Sequence, residues 1–216
     1  MRNPQRRQAL VDAAIEVLAE QGARGLTFRA VDAQAAVPAG TSSNYFSTRD
    51  DLMTQAGARV YERLTPDPAT LARSLTGPRD RGRVLDLVQE LTHRIEAYRP
   101  GYLALLELRL EATRRPALRE VLTRTVRADL EQNVAYYLDT GLPGDATTAV
   151  LLYLAINGLI VERLTLPDAL DVVGDLGAAD LVTAVVHRIL DAGPPETGAA
   201  AEAGQRRTDS PTTDPG

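Results

Sequence analysis

The sequence contains no cysteine, no lysine and no tryptophan, and these absences narrow the range of possible functions. Without cysteine, disulfide bonds, thiolate metal sites and cysteine nucleophiles are all excluded. The two histidines, His93 and His187, form no His-x-x-x-His pair, so we expect no metal site and no cofactor. All 24 cationic residues are arginine and the net charge is −5, which argues against a protein that coats nucleic acid.

Long hydrophobic runs are also absent. The longest run, residues 149–161, is shorter than the roughly 20 residues that a membrane-spanning helix requires. Asp12, Glu16 and Glu20 interrupt the first apolar stretch every four residues, unlike the core of a secretory signal peptide. We find no nucleophile motif and no phosphate-binding glycine loop. We therefore expect a soluble, cytoplasmic protein that does not contact a membrane and has no catalytic residues.

Apolar residues recur with a helical period along nearly the whole chain, so the predicted fold class is all-α. The first four predicted helices are one closed by Gly22, one from Thr27 to Ala35, one from Ala39 to Phe46, and one from Arg49 to about Leu64. Longer helices are predicted around residues 84–95, 102–115, 118–138, 145–164 and 179–191.

The third of these helices consists of poor helix formers, which suggests that its surface has a function. Residues 40–44 are Gly-Thr-Ser-Ser-Asn, each about 0.5–1 kcal/mol less favourable than alanine in a helix. Two short helices joined by a three-residue turn form a helix-turn-helix, whose second helix enters the major groove of DNA. Small side chains there allow close approach to base edges. The predicted anchors of the unit are Val37, Phe46 and Leu52.

Three larger side chains fit the same interpretation. Arg29, near the start of the second helix, can reach a guanine edge or a phosphate. Tyr45 can bond a phosphate oxygen, and Arg49 begins the fourth helix where it can hold the DNA backbone.

The segments RRQALVDAAIEVLAEQG, LTFRAVDAQAAVPAG and TSSNYFSTRDDL occur in one register over residues 6–52. In this register the region resembles the N-terminal domain of the TetR/AcrR family of bacterial transcriptional regulators. The resemblance implies DNA contacts by Thr27, Arg29, Thr41, Tyr45 and Arg49. Together with the small side chains, the predicted DNA-binding residues are Thr27, Arg29, Gly40, Thr41, Ser43, Asn44, Tyr45 and Arg49.

Ala36 departs from the pattern of that family, which often has glycine at this position. A left-handed backbone conformation at Ala36 would cost about 1 kcal/mol more than at glycine. Residues 1–50 carry six arginines and five acidic residues, so charge alone indicates no basic patch. Two alternatives therefore remain open: a helical protein-interaction module, or a small helical enzyme that uses His93 and acidic residues such as Glu107 and Glu111.

Residues 149–161 are apolar on nearly every side of a helix, so this helix must be buried on two sides. With the final helix it predicts a four-helix interface in a homodimer, and a fully internal core helix is the alternative. Asn157 lies within this run, where it can set the register of the dimer or bind a ligand.

Five of the seven tyrosines lie within residues 84–192, where their rings suit the walls of a small-molecule pocket or a helical core. Arg109 shares a predicted helix face with Tyr102, so it needs a partner: a carboxylate such as Glu162, which we favour, or an anionic effector. The predicted ligand-binding residues are Tyr102, Arg109, Tyr136 and Asn157.

Four regions are predicted: a helix-turn-helix DNA-binding domain at 1–52, a connecting helix and hinge at 53–83, a helical dimerisation and effector-binding domain at 84–192, and a disordered tail at 193–216. The family resemblance implies a homodimeric repressor that binds palindromic double-stranded operator DNA and responds to a small-molecule effector.

Overall fold

The computed structural model describes residues 3–74, 76–174 and 177–192, and all regular secondary structure in these ranges is helical. This confirms the all-α prediction. The helices are α1 (Pro4–Gly25), α2 (Phe28–Gln34), α3 (Thr41–Tyr45), α4 (Arg49–Leu64), α5 (Pro68–Ser74), α6 (Arg81–Ala97), α7 (Arg99–Ala112), α8 (Pro116–Asp139), α9 (Ala146–Thr165) and α10 (Ala178–Asp191), with a 3₁₀ helix at Pro167–Val173. The predicted disordered tail, 193–216, lies outside the described residues.

Helix α1 begins after a good N-cap residue and bends at a glycine. The side chain of Asn3 caps it by accepting hydrogen bonds from the backbone N–H groups of Gln5 (2.9 Å) and Arg6 (3.3 Å). Gly22 has a φ of +67°, the left-handed conformation expected where a helix ends. The helix nevertheless continues for one further turn, so Gly22 marks a kink and Gly25 is the last helical residue.

The boundaries of α2 and α4 follow the prediction closely. Thr27 caps α2 by accepting a hydrogen bond from the backbone N–H of Ala30 at 3.1 Å. Helix α4 has the predicted bounds. Helix α3 begins at Thr41 rather than at Ala39, because Gly40 has a φ of +89° and interrupts the right-handed helical backbone.

A first hydrophobic core joins the N-terminal helices to α7 and α8. It contains Phe46 and Leu52, both predicted as anchors, and Val37 packs against it. Leu108 of α7 and Leu122 of α8 are buried in the same core. This core crosses the predicted boundary at residue 52, so α7 and α8 pack directly against the N-terminal helices.

The predicted connecting helix and hinge, 53–83, contains, besides α4, a second helix that the sequence pattern did not predict. Helix α5 is capped by Asp67, whose carboxylate accepts hydrogen bonds from the backbone N–H groups of Ala69 and Thr70, each at 3.0 Å. The prolines of this segment therefore separate α4, α5 and α6 without preventing local helix formation.

A second hydrophobic core is formed by α6, α9 and α10 with parts of α7 and α8. One face of α9 is buried in it through Leu152, Ile156 and Ile160. Leu151 and Leu154 of α9 are 45% and 58% exposed, respectively. Helix α9 is thus apolar on a face that no other part of the described chain covers.

Helix α9 is also the one helix, among the described residues, that is long and apolar enough to cross a membrane by length and composition alone. With 20 residues, α9 extends beyond the apolar run at 149–161. That run alone had been too short for a membrane span. Its inner face belongs to the second core, as is common for a central helix of a soluble bundle.

Candidate nucleic-acid interface and ligand cavity

The two short helices of the helix-turn-helix are joined by a buried carboxylate. Asp32 of α2 is only 2% exposed and accepts hydrogen bonds from the backbone N–H groups of Gly40 and Ser42, each at 2.7 Å. It also accepts a hydrogen bond from the hydroxyl group of Ser42, which is completely buried. Asp32 therefore caps α3 from the preceding helix. We assigned no such role to Asp32 or Ser42 from the sequence, although Asp32 is the one acidic residue of α2.

The predicted DNA contacts on α2 and α3 differ in exposure. Thr27, Arg29, Gly40, Ser43 and Asn44 are exposed, and this gives the unit a free surface of small side chains with one arginine.

Two further predicted contacts, Thr41 and Tyr45, are half-buried. The hydroxyl group of Thr41 donates a hydrogen bond to the carbonyl of Pro38. The carbonyl of Tyr45 accepts one from Arg7 of α1 at 3.0 Å, so α1 also supports the end of α3.

Arg49 has an internal partner in this structure. Its guanidinium group donates a hydrogen bond to the carbonyl of Ala23, while the carboxylate of Glu107 accepts one from the N–H of the same residue at 3.0 Å. The end of α1 is therefore held between α4 and α7, next to the kink at Gly22. Arg49 is half-buried, and its charged group links α4 to the end of α1. Its contact with the DNA backbone stays a prediction.

Ala36, in the turn between α2 and α3, has a φ of +52° and is the one non-glycine residue with positive φ among the described residues. This is the conformation expected from its position in the motif. We expect Ala36→Gly to raise the free energy of unfolding by about 1 kcal/mol, because glycine adopts this conformation without steric strain. Thermal unfolding followed by circular dichroism measures the change, and Ala33→Gly, in the regular part of α2, should lower stability instead.

A cavity of about 300 Å³ lies among α4, α6, α7, α8 and α9. Three predicted ligand-binding residues, Tyr102, Tyr136 and Asn157, line it. The hydroxyl group of Tyr102 donates a hydrogen bond to the side-chain oxygen of Asn157 at 2.9 Å, and the amide of Asn157 donates one to the carbonyl of Tyr153 at 2.8 Å. Both hydrogen-bond partners of Asn157 thus belong to the same protomer. Neither bond is formed on the uncovered face of α9.

Arg109 does not line the cavity, and the ion pair with Glu162 that we favoured is wrong, since Arg109 forms no salt bridge with a described residue. Its guanidinium group instead interacts with the hydroxyl groups of Tyr61 and Tyr153, whose side chains form part of the cavity wall. Arg109 was expected on an apolar face, but its side chain is exposed.

Burial changes the acid–base behaviour of the cavity wall. It raises the pKa of Tyr102 to about 12 and also raises the pKa of Tyr61, where the charge of Arg109 acts against the shift. Burial likewise raises the pKa of Asp129 of α8, a cavity residue that we did not predict. Both tyrosines therefore remain neutral near pH 7 and offer rings and hydroxyl groups to a ligand.

The two acidic residues considered for an enzyme, Glu107 and Glu111, have structural partners. Glu107 bonds the end of α1, and Glu111 forms salt bridges with Arg114 and Arg115 that lower its pKa to about 2. His93 is exposed on α6. Among the described residues, no group of histidine and acidic side chains is arranged to hold a metal ion.

Comparison with known proteins supports the same two-part organisation. Residues 10–56 match the family model described as bacterial regulatory proteins, tetR family, and residues 79–202 match a tetracyclin repressor-like C-terminal domain. The HTH-type transcriptional regulator BetI of Rhizobium meliloti (strain 1021) is 28% identical over 163 residues, which cover 74% of this chain and 78% of that regulator.

Two solved structures are similar over most of the chain. The multidrug binding protein EbrR complexed with ethidium is 30% identical, with a TM-score of 0.60 over 87% of this chain and 99% of EbrR. A TetR-family member from Streptomyces coelicolor A3 is also 30% identical, with a TM-score of 0.62 over 87% of this chain and 99% of its own.

Proposed function

Because the chain belongs to the TetR family of DNA-binding transcriptional regulators, we propose that it is a homodimeric, ligand-responsive repressor of a palindromic operator. The free face of α2 and α3 is the DNA-binding surface, and the cavity in the C-terminal bundle is the effector site. The protein acts in the cytoplasm, where its DNA target is found.

Helix α4 carries this proposal, because it belongs to both sites. Its N-terminal residue, Arg49, bonds the end of α1 beside the helix-turn-helix. Near its C-terminal end, Tyr61 and Leu64 line the cavity, and Thr65 follows directly. A ligand that pushes on Tyr61 would therefore shift the helix that supports the DNA-binding unit, which provides the physical coupling that an allosteric repressor requires.

The exposed apolar face of α9 supports a dimer. Leu151 and Leu154 are large and exposed, and nothing lies within 4 Å of the position that a side chain on Gly158 would occupy. A second copy packed there buries this face and gives a two-fold assembly. Two recognition helices about 34–36 Å apart then read successive major grooves, so a small change in their separation weakens binding to the operator.

A small-molecule effector is supported by the cavity and by the relatives. About 300 Å³ is at the lower end of the usual volume of ligand pockets, and the lining is largely apolar with several tyrosines. EbrR, which is similar over nearly its full length, has been crystallised with ethidium.

Selection of bound sites from random double-stranded DNA tests the proposal, with Arg29→Ala compared with wild type. We expect a palindromic consensus, a steep decrease of affinity with salt, and a loss of preference at one position in each half-site for the variant. One lost base contact corresponds to about 1–3 kcal/mol per half-site. Arg127→Ala, which removes an exposed arginine of α8, is the matched control and should leave the consensus unchanged.

Two results would contradict parts of this proposal. If no DNA sequence is enriched, or if Arg29→Ala selects the wild-type consensus at every position, the assigned DNA-binding surface is wrong. If the affinity for the selected operator stays constant across a broad screen of small molecules, ligand response is rejected while DNA binding stands.

A further inference from the structure

A second, more polar pocket adjoins the cavity at the side where α5 and α6 meet. It is lined by two threonines and by Arg73, Arg83, Glu90, His93 and Arg94. Thr70, Glu90 and Arg94 line both spaces, so the cavity and the polar pocket meet at these residues. The cavity itself is lined mainly by aliphatic residues and tyrosines. A ligand that occupies both spaces therefore needs an apolar body and a polar end group.

Arg94 is the residue of this junction whose guanidinium group has no hydrogen-bond partner among the described residues. Its side chain is half-buried, and its Nε atom is buried without an acceptor. Burial lowers the pKa of Arg94, while the charge of Glu90, one turn earlier on α6, acts against that shift. A buried N–H group without an acceptor is unfavourable, so an acceptor supplied by a ligand stabilises this arrangement.

The two other arginines of the polar pocket have partners in the protein. Arg73 donates a hydrogen bond to the hydroxyl group of Thr70 at 2.7 Å, and its charge also acts on the carboxylate of Asp67. Arg83 donates a hydrogen bond to the carbonyl of Arg73 at 3.3 Å. These two arginines therefore contribute to the wall of the polar pocket, whereas Arg94 keeps its hydrogen-bonding capacity for a ligand.

Arg94 lies at the end of an aliphatic row on α6. Leu87 and Leu91 precede it by seven and three residues, so the three side chains share one face of the helix. Both leucines line the cavity and are only half-buried by the protein. Leu152 and Ile156 line the cavity from α9. An aliphatic chain that lies along this face of α6 covers the two leucines and places its end group at Arg94.

Two acidic residues, Glu90 and Asp129, also line the cavity. Water screens the exposed charge of Glu90, as it screens that of the exposed Arg109. Asp129 lies on α8 and accepts a hydrogen bond from the amide of Asn133, on its own helix, at 3.2 Å. Asp129 therefore has a partner, while the buried Nε–H group of Arg94 has none. A ligand that accepts hydrogen bonds at Arg94 satisfies this donor, and an ammonium group cannot.

We propose that the effector of this cavity is an aliphatic carboxylate, whose carboxylate group accepts hydrogen bonds from Arg94 while its chain lies along Leu87 and Leu91. The planar guanidinium group can donate to both carboxylate oxygens at once, which fixes the orientation of the ligand. The inference rests on the proposed function of the cavity as the effector site. It adds the chemical class of the ligand and the residue that selects it.

Decanoate, decanamide and decylammonium test the proposal, because they share one chain length and differ in the charge of the end group. Calorimetric titration of the full-length protein should show binding of decanoate, with decanamide and decylammonium each at least about 10-fold weaker. Arg94→Gln should weaken binding of decanoate about 10- to 100-fold, as for loss of a charge-assisted hydrogen bond. The same variant should bind decanamide like wild type.

Arg127→Gln is the matched control for the loss of one arginine. Arg127 is exposed on α8 and lines neither the cavity nor the polar pocket, so this variant should bind decanoate like wild type. Folding of Arg94→Gln is checked by thermal unfolding. Because the substitution removes a half-buried charge without a hydrogen-bond partner, the melting temperature should equal or exceed that of wild type. Decanoate should raise the melting temperature of wild type more than that of Arg94→Gln.

The proposal is overturned if decanamide or decylammonium binds as tightly as decanoate, if Arg94→Gln binds decanoate like wild type, or if decanoate does not bind. In each of these cases the selected operator provides a separate reading of the proposed function. Release of operator by a neutral or cationic compound would leave the effector site in place and reject only the carboxylate as its ligand.

Discussion

Asp32→Ala is expected to abolish operator binding and to lower the free energy of unfolding by about 3–5 kcal/mol. The substitution removes the acceptor of two backbone N–H groups and of the buried hydroxyl group of Ser42. Because Ser42 is completely buried, water cannot replace the lost acceptor for its N–H and hydroxyl groups. The full free-energy cost of leaving these donors without a hydrogen bond therefore applies. Helix α3 has five residues and is far too short to persist without such a cap.

Unfolding by urea, followed by circular dichroism, and binding to the selected operator measure the two effects. Ser42→Ala removes only the hydroxyl group and leaves both backbone donors bonded, so its cost should be nearer 1 kcal/mol. Asp139→Ala, an exposed position on α8, should leave both measurements unchanged. If Asp32→Ala unfolds and binds like wild type, the carboxylate does not hold α3 in position.

Leu154→Arg is expected to convert the dimer into monomers and to weaken operator binding about 10²–10⁴-fold. Leu154 is 58% exposed in the protomer, at the face of α9 that we assign to the dimer interface. Two arginines related by the two-fold axis would be buried there without carboxylate partners, which is strongly unfavourable. Each helix-turn-helix would then bind DNA alone and lose the gain in effective concentration that the second one provides.

Sedimentation velocity and operator titration at fixed salt measure these effects. Leu110→Arg is a closely matched control, because Leu110 is 57% exposed. It lies on α7, outside the face of α9 that we propose as the interface. It should remain dimeric and bind like wild type. A dimeric Leu154→Arg protein with wild-type affinity would show that the uncovered face of α9 is not the interface.

Several features were predictable because they depend on short stretches of chain. The bounds of α4 follow from the Ser-Thr break before Arg49 and the proline after Thr65, and the structure has the predicted bounds. The strain at Ala36 followed from its position in a recognised motif, and its positive φ confirms it. The two apolar faces of α9 were predicted from residues 149–161, which are apolar on nearly every side of a helix.

Other features depend on which residues meet in space, and the sequence pattern misled us there. Arg109 was expected to pair with Glu162, but Tyr61 and Tyr153 reach it from α4 and α9. Helix α5 was not predicted, because prolines on both sides concealed a seven-residue helix with a good cap at Asp67.

The sequence by itself determined the helical class and the helix-turn-helix with its surface of small side chains, because helical periodicity, capping and turn preferences act within a few residues. Only the tertiary structure decided that Asp32 holds α3, that Arg49 faces Ala23, and that Asp129 lies in the cavity. These contacts join different helices, and their energies depend on burial and on partners that are distant along the chain.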